Sequence, residues 1–185
     1  ICGLNPYVSP IHVYADKTSN EISEYDNEAM RLGRDLEEYV AKRFMEATGF
    51  KVRRNCMLLS HDKYPFMYAN VDRMVVGEEI GLECKTASVY NSDKWEDGEV
   101  PEHYLIQCHH YMAVTGAKAW YIAVLILGKE FKYAKIERDE EIIENLIKIE
   151  RDFWENHVLK KVMPNPDGSK AADEIIDKYY RKATK

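Results

Sequence analysis

The chain has 185 residues, of which 45% are hydrophobic and 31% are charged. This composition is that of an ordinary soluble globular protein, and the length suits one domain with a hydrophobic core. The formal net charge of −6 argues against a protein that coats nucleic acid through positive charge alone, but it leaves open an acidic site that holds divalent cations.

Neither a membrane span nor a cysteine-based site is indicated by the sequence. The longest apolar run, residues 119–127, is too short to cross a bilayer, and no signal-peptide pattern opens the chain. The cysteines contain no CxxC pair, so we expect neither a zinc ribbon nor a disulfide framework. We therefore expect a cytoplasmic protein with no membrane association, whose thiols are reduced and packed in the interior. The four thiols belong to Cys2, Cys56, Cys84 and Cys108.

The first half of the chain predicts a lead-in, a long helix and three strands. A turn-rich opening leads into a short helix over residues 11–17. A long helix is predicted from about Asn27 to Thr48, where Gly49 is well suited to end it. Its buried stripe, at helical spacing, comprises Leu32, Leu36, Val40, Phe44 and Ala47. The strand candidates that follow are residues 51–60, 67–76 and 80–88.

The second half predicts a polar loop over residues 89–100 and a helix from Pro101 to near Gly116. The remaining candidates are strands 119–127 and 131–136, a helix over about 139–162 and a tail helix over 171–182. Helices alternate with strands in this order, which predicts an α/β fold in which a mixed central sheet is flanked by helices. We expect one domain over residues 1–185. It divides into a lead-in (1–26), a core (27–163) and a tail (164–185).

The second and third strand candidates carry the chemically informative residues. If Gly77 and Glu78 form a two-residue turn, Asp72 lies directly opposite Glu83. Facing residues of a hairpin point to the same side, with Cβ atoms roughly 4.5–5.5 Å apart. Two carboxylates this close repel each other unless a cation lies between them. Because all the ligands are oxygens, the pair is suited to Mg²⁺ or Mn²⁺ rather than zinc.

Lys85 lies on the same side of the strand as Glu83, because side chains alternate with a period of two. An ammonium beside a metal site can orient an attacking water and offset phosphate charge. The spacing is equally compatible with a solvated ladder of salt bridges on a half-exposed hairpin. A three-residue turn would also move Asp72 out of register.

The order of these residues resembles a known nuclease motif. Asp72 followed by Glu83-Cys84-Lys85 resembles PD-(D/E)xK, residues 33–37 resemble the upstream helix of that fold, and Gln107 with Tyr111 resembles its QxxxY motif. Further similarity places the chain beside the YqaJ-type viral recombinases, the group that includes phage lambda exonuclease. That similarity is carried by residues 4–7, 100–104 and 111–116.

The resemblance implies a restriction-endonuclease-like PD-(D/E)xK core and a metal-dependent deoxyribonuclease. The implied cofactor is Mg²⁺, for which Mn²⁺ substitutes, with two ions per site when DNA is bound. Lys85 would position the water nucleophile. Gln107 would contact the substrate backbone or steady the site, with support from Tyr111. The implied metal ligands are Asp72, Glu83, the backbone carbonyl of Cys84, and Glu37 directly or through water.

The resemblance also implies that the substrate is the end of double-stranded DNA. One strand would be digested 5′→3′, leaving 3′ overhangs for a single-strand annealing protein, and the enzyme would be a homotrimeric ring. The family's segment that helps hold the DNA 5′ phosphate precedes the stretch resembling residues 3–7, so we expect it to lie before Ile1.

Several alternatives stay open on the residues themselves. Glu37 is equally typical of a surface helix, and Gln107 with Tyr111 of a core face. Trp95 is either a DNA contact or an aromatic that packs at a subunit contact. A basic strip is either a phosphate contact or a solvated face, and it comprises Arg31, Arg34, Lys42 and Arg43, with Arg53 and Arg54.

Two other classes of protein compete with this interpretation. A Cas4-like or other RecB-type nuclease shares the same motifs, but Cas4 proteins usually hold an iron–sulfur cluster on late cysteines, and no cysteine follows Cys108. A catalytically inactive DNA-binding relative is disfavoured because Asp72, Glu83 and Lys85 are all present.

Overall fold

The structure, a computed structural model, describes residues 1–5, 7–19 and 26–183. Pro6, residues 20–25 of the predicted lead-in and the last two residues of the tail lie outside this description. The helices are α1 (Pro10–Thr18), α2 (Glu28–Thr48), α3 (Glu102–Thr115), α4 (Glu140–Phe153) and α5 (Lys170–Ala183). The strands are β1 (Val52–Arg54), β2 (Leu59–Ser60), β3 (Tyr68–Ala69), β4 (Arg73–Val75), β5 (Ile80–Ala87), β6 (Ala119–Ile126) and β7 (Glu130–Glu137).

The chain forms two compact units. One comprises residues Asp26–Glu144, and the other comprises Ile1–Tyr25 together with Asn145–Lys185. In the second unit, Ile11 of α1 packs against Ala172 and Ile175 of α5. No helix in the described ranges is both long enough and apolar enough to span a membrane. The prediction of one domain over the whole chain stays a prediction.

The first unit contains a five-stranded mixed sheet in the order β1-β4-β5-β6-β7. Strands β5 and β6 are parallel, and every other neighbouring pair in this sheet is antiparallel. The parallel pair needs a crossover, which α3 provides, whereas the antiparallel neighbours can be joined by short turns. The α/β fold with a mixed central sheet is therefore confirmed.

Two helices of this unit cover opposite faces of the sheet. On one face, Val40, Ala41 and Phe44 of α2 form a core cluster with Leu82 and Ala123. On the other face, Tyr111 of α3 packs on Trp120, with ring centroids 5.3 Å apart. Trp120 lies over Gly81, where a Cβ would come within 2.3 Å of the indole ring. A glycine is therefore required where this tryptophan crosses β5.

The predicted strands 51–60 and 67–76 are each too long. Strand β1 pairs with β4 in the large sheet, whereas β2 pairs with β3 in a separate two-stranded sheet. Between β1 and β2 the amide of Asn55 donates to the carbonyl of Met57 at 2.8 Å. A side chain that bonds to the backbone two residues ahead favours a turn over a continuing strand.

Three other predictions need correction. Residues 89–100 are not an open loop, because short 3-10 turns interrupted by non-helical residues lie within Val89–Gly98, and Trp95 in this stretch is buried. The stripe of α2 is shorter than predicted, since Leu32 and Ala47 are exposed. The helix predicted to 162 widens after α4 into a π-helical turn, Trp154–Val158.

The cysteines are free thiols, as predicted, but they are not all interior. Cys108 is buried, Cys2 and Cys84 are half-buried, and Cys56 is exposed.

Candidate active site

The register of the β4–β5 hairpin is the predicted one, but the turn is longer than two residues, because β4 ends at Val75 and β5 begins at Ile80. Arg73 faces Leu82 and Met74 faces Gly81. Continuing this register by one residue places Asp72, just before β4, opposite Glu83. The alternation of β5 then directs Glu83 and Lys85 to the face that α3 covers.

Glu83 is a buried carboxylate with one bonded and one unbonded oxygen. Its side chain is 4% exposed. Its Oε1 accepts hydrogen bonds from Lys85 Nζ at 2.5 Å and from Gln107 Nε2 at 3.1 Å. Its Oε2 is buried without a hydrogen-bond partner. A buried acceptor without a partner is costly, and this oxygen is therefore available to a ligand.

The electrostatics of Glu83 follow from this burial. Desolvation raises its pKa from 4.5 to about 7, and the nearby Asp72 charge adds to the rise while Lys85 opposes it. The proton and a cation therefore compete for the same carboxylate near neutral pH.

Asp72 is held by the backbone of β5. Its Oδ2 accepts a hydrogen bond from the Cys84 amide at 2.8 Å. Burial raises the pKa of Asp72, the Cys84 bond opposes this, and the charge of Glu37 raises it further. Asp72 is thus oriented toward β5, close to Glu83.

Lys85 lies between Glu83 and an aromatic ring. Its Nζ is 4.9 Å from the centroid of the Tyr104 ring, a cation–π distance. The Tyr104 ring stacks in turn on Trp95, with centroids 5.7 Å apart. Burial lowers the pKa of Lys85, but the Glu83 carboxylate more than offsets this, so the pKa is raised and Lys85 is a cation at neutral pH.

Helix α3 supplies Gln107 and Tyr111, which share a helix face. Besides Glu83, Gln107 Nε2 donates to Tyr111 Oη at 2.6 Å. Tyr111 is buried, and this burial raises the pKa of its phenol. Tyr111 therefore steadies Gln107, which steadies Glu83.

Glu37 lies on α2, on the opposite side of the sheet from Gln107. Its Oε1 accepts a bond from Arg73 Nη1 at 2.5 Å. The structure thus brings Asp72, Glu83, Lys85, Gln107 and Tyr111 together, whereas Glu37 is bound to an arginine that the sequence analysis did not single out.

The donor set fits a hard divalent cation. Half-buried Asp72 and buried Glu83 provide carboxylate oxygens, and Glu83 Oε2 has no hydrogen-bond partner. Across the described ranges, no three His, Cys, Asp or Glu side chains converge in a way that could hold a metal ion. The candidate ligands of the cation are therefore two carboxylates, and the Cys84 carbonyl would add a backbone ligand.

The other residues that the sequence analysis singled out form ion pairs or packing contacts outside this site, or lie on the surface. Arg34 pairs with Asp26 at 2.6 Å, and Arg43 pairs with Glu46 at 3.6 Å, so much of the basic strip is bound to surface carboxylates. Arg53 is exposed on β1. Trp95 is 5% exposed and is a packing residue in this structure.

Sequence reasoning missed Arg73 and the contact of Tyr104 with Lys85. Arg73 directly follows Asp72 in a strand whose alternate residues are apolar, and an arginine in that position was a signal for a buried ion pair. Tyr104 lies three residues before Gln107 on one helix face, which was a signal that its ring also faces the site.

Comparison with known proteins identifies relatives of the whole chain. A family model described as the YqaJ-like viral recombinase domain matches residues 1–118. The uncharacterized protein YqaJ of Bacillus subtilis (strain 168) is 46% identical over 183 residues, covering 97% of this chain and 57% of that protein. The chain therefore spans little more than half the length of this relative.

Solved structures share the fold at low sequence identity. The alkaline exonuclease LHK-Exo from Laribacter hongkongensis has a TM-score of 0.66 and 19% identity over 97% of this chain and 94% of that chain. Its complex with dAMP has a TM-score of 0.68 and 20% identity, over 96% and 95%. A phage-related exonuclease from Haemophilus somnus 129PT has a TM-score of 0.62 and 13% identity, over 90% and 80%.

Proposed function

This chain belongs to the family of YqaJ-like viral recombinases, and we propose that it is a Mg²⁺-dependent DNA exonuclease. The single observation that carries the proposal is the pair formed by half-buried Asp72 and buried Glu83. Glu83 Oε2 has no hydrogen-bond partner, and the Lys85 ammonium bonds to the other oxygen. Metal-ion phosphodiester hydrolysis uses this combination of hard anionic oxygens and a nearby cation.

The metal would be held by Asp72, Glu83 and the Cys84 carbonyl. When bound, Mg²⁺ would supply charge stabilisation for the phosphate oxygens and lower the pKa of a water, and the proposal includes a second ion when DNA is bound.

Lys85 is the residue that positions the water nucleophile in this proposal. Its charged Nζ donates to Glu83 Oε1 in the resting site and lies over Tyr104. From that position it orients the attacking water and offsets negative charge that develops on the scissile phosphate.

Gln107 and Tyr111 keep Glu83 in place. The Gln107 amide bridges the Glu83 carboxylate and the Tyr111 hydroxyl, at 3.1 and 2.6 Å. This supports the steadying role of Gln107 over direct contact with the substrate backbone.

The family resemblance supports the finer parts of the proposal. These are the 5′→3′ resection of linear duplex DNA to 3′ overhangs, the trimeric ring, the cooperation with a single-strand annealing protein and the cytoplasmic location. LHK-Exo, whose fold this chain shares, is named as an alkaline exonuclease and has been solved with dAMP.

The proposal is tested by digesting three DNA substrates with Mg²⁺: 5′-phosphorylated linear, 5′-hydroxyl linear and closed circular duplex. We expect degradation of linear DNA and no cleavage of closed circles. Lys85→Ala should lower the rate at least about 10²-fold. The exposed Lys118→Ala is the matched control and should retain the wild-type rate. Equal rates for the two variants would contradict the catalytic assignment.

A further inference from the structure

Two lysines, Lys85 and Lys132, lie in one row of residues across the sheet. Lys85 of β5 is paired with Val124 of β6, and Val124 is paired in turn with Lys132 of β7. Residues paired across neighbouring strands point to the same side, so both lysine side chains extend from the same face. Because neighbouring strands are about 4.8 Å apart, the two lysine backbones are separated by roughly 10 Å.

Two stacked rings connect these lysines. The Lys85 Nζ lies 4.9 Å from the centroid of the Tyr104 ring, and the Tyr104 and Trp95 rings stack with their centroids 5.7 Å apart. The carbonyl of Trp95 accepts a hydrogen bond from Lys132 Nζ at 3.0 Å. The Trp95–Tyr104 stack therefore contacts the sheet at both ends, through the proposed water-positioning lysine and through Lys132.

Trp95 is the buried residue of an otherwise exposed or half-buried segment, Val89–Gly98. Its side chain is 5% exposed. Non-helical residues interrupt the 3-10 turns of this segment, so its position depends on side-chain contacts more than that of a regular helix does. The buried indole and the Lys132 bond are the contacts that hold this segment against Tyr104.

We propose that Trp95 is a positioning residue, whose ring keeps Tyr104 in contact with Lys85 and so fixes the place of the Lys85 ammonium. The inference rests on the proposed function, because it presumes that Lys85 positions the attacking water. The ammonium contacts the Glu83 carboxylate and the Tyr104 ring. With a cation at Glu83, that carboxylate attracts the ammonium less, and the contact with Tyr104 becomes the main restraint on Lys85.

The test is a double-mutant cycle between Trp95 and Lys85, measured on linear duplex DNA with Mg²⁺. In the wild-type background, Trp95→Leu should lower kcat about fivefold and leave KM within about twofold, because Lys85 is misplaced while DNA binding is retained. In the Lys85→Ala background, the same substitution should change kcat by less than about twofold, because no ammonium is left to position. Trp95→Phe keeps a ring against Tyr104 and should retain most of the wild-type kcat.

Lys132→Met leaves Trp95 in place and decides the question even where Trp95→Leu does not fold. It removes the hydrogen bond to the Trp95 carbonyl, so we expect kcat to fall about threefold in the wild-type background, in line with the loss of one hydrogen bond. In the Lys85→Ala background it should cause no further loss.

Lys129→Met is the matched control for Lys132→Met. Both lysines lie near Glu130 Oε1, at 3.6 and 3.4 Å, but Lys129 donates to Ser92 Oγ rather than to the Trp95 carbonyl. Lys129→Met should therefore leave kcat unchanged in both backgrounds.

A readout without metal or DNA is the NMR shift that the Tyr104 ring induces in the Lys85 ε-methylene protons. This ring-current shift should shrink in Trp95→Leu and persist in Trp95→Phe. Equal losses of kcat in the two backgrounds, no loss in the wild-type background, or an unchanged shift in Trp95→Leu would overturn the inference and leave the proposed function standing. A Lys85→Ala variant as active as wild type would instead contradict the proposed function.

Discussion

Two glutamate–lysine ion pairs in or beside strand β5 have the same length and opposite environments. Glu79, just before the strand, bonds to Lys118 at 2.5 Å, with side chains 65% and 79% exposed. Glu83, four residues further on, bonds to Lys85 at 2.5 Å, with side chains 4% and 21% exposed. The two glutamates therefore differ in burial and not in the distance to their lysine.

This difference in burial shows why Glu83 is suited to bind a cation and Glu79 is not. Around Glu79, water solvates both charges, and such a surface pair contributes little. Around Glu83, burial raises the pKa to about 7, and Oε2 has no hydrogen-bond partner. A cation at Glu83 would satisfy that oxygen, whereas Glu79 gains nothing comparable from binding one.

The largest expected effect is the loss of activity on substitution of Glu83, the buried glutamate of the two pairs. Glu83→Gln removes a proposed metal ligand, so we expect DNA hydrolysis to fall on the order of 10³-fold, about 4 kcal/mol of transition-state stabilisation. Glu79→Gln, the matched change in the exposed pair, should leave the rate within about twofold of wild type. The measurement is initial-rate digestion of linear duplex DNA with Mg²⁺. Similar losses in both variants would show that burial does not distinguish the pairs.

The next effect is a pH dependence of folding stability that only the buried glutamate should produce. In the unfolded chain Glu83 loses its proton near 4.5, but in the metal-free folded protein it keeps the proton up to about pH 7. Between these values the folded state binds more protons, so stability falls as pH rises. Relative to Glu83→Gln, the free energy of unfolding of wild type should decrease by about 3 kcal/mol from pH 4.5 to pH 8.

Urea unfolding in EDTA over this pH range provides the measurement. Glu79→Gln should follow the wild-type curve because the exposed carboxylate is solvated in both states. Parallel curves for wild type and Glu83→Gln would contradict a raised pKa at Glu83.

The smallest effect concerns the ring that covers Lys85. Tyr104→Leu removes a cation–π contact of about 1 kcal/mol, so we expect a five- to tenfold loss of DNA hydrolysis, on the order of that energy. Tyr104→Phe keeps the ring and should retain most activity. Kinetics of both variants on linear duplex DNA test this. Equal losses would mean that the hydroxyl, and not the ring face, matters.

The sequence predicted the hairpin register well, and the reason is local. Gly77 adopts a positive φ of 84°, the conformation for which glycine is best suited in a tight turn. The short connection between Val75 and Ile80 keeps the register that aligns Asp72 with Glu83. Likewise α2 ends at Gly49, which adopts a left-handed conformation. Short-range backbone geometry of this kind can be inferred from residue order.

The features that sequence reasoning missed depend on partners far along the chain. The bond between Arg73 and Glu37 joins residues 36 positions apart, and the spacing within one strand does not indicate it. The burial of Glu83 depends on α3, whose Gln107 follows it by 24 residues. On spacing alone, a solvated salt-bridge ladder was as reasonable as a buried site.

The most direct test of the central claim is anomalous diffraction from a crystal soaked in Mn²⁺. An ion held by the carboxylate pair should give a strong peak between Asp72 and Glu83, within about 2.5 Å of an oxygen from each, and none at Glu79. A crystal with no peak at that position, or with Asp72 and Glu83 turned away from each other, would contradict the account.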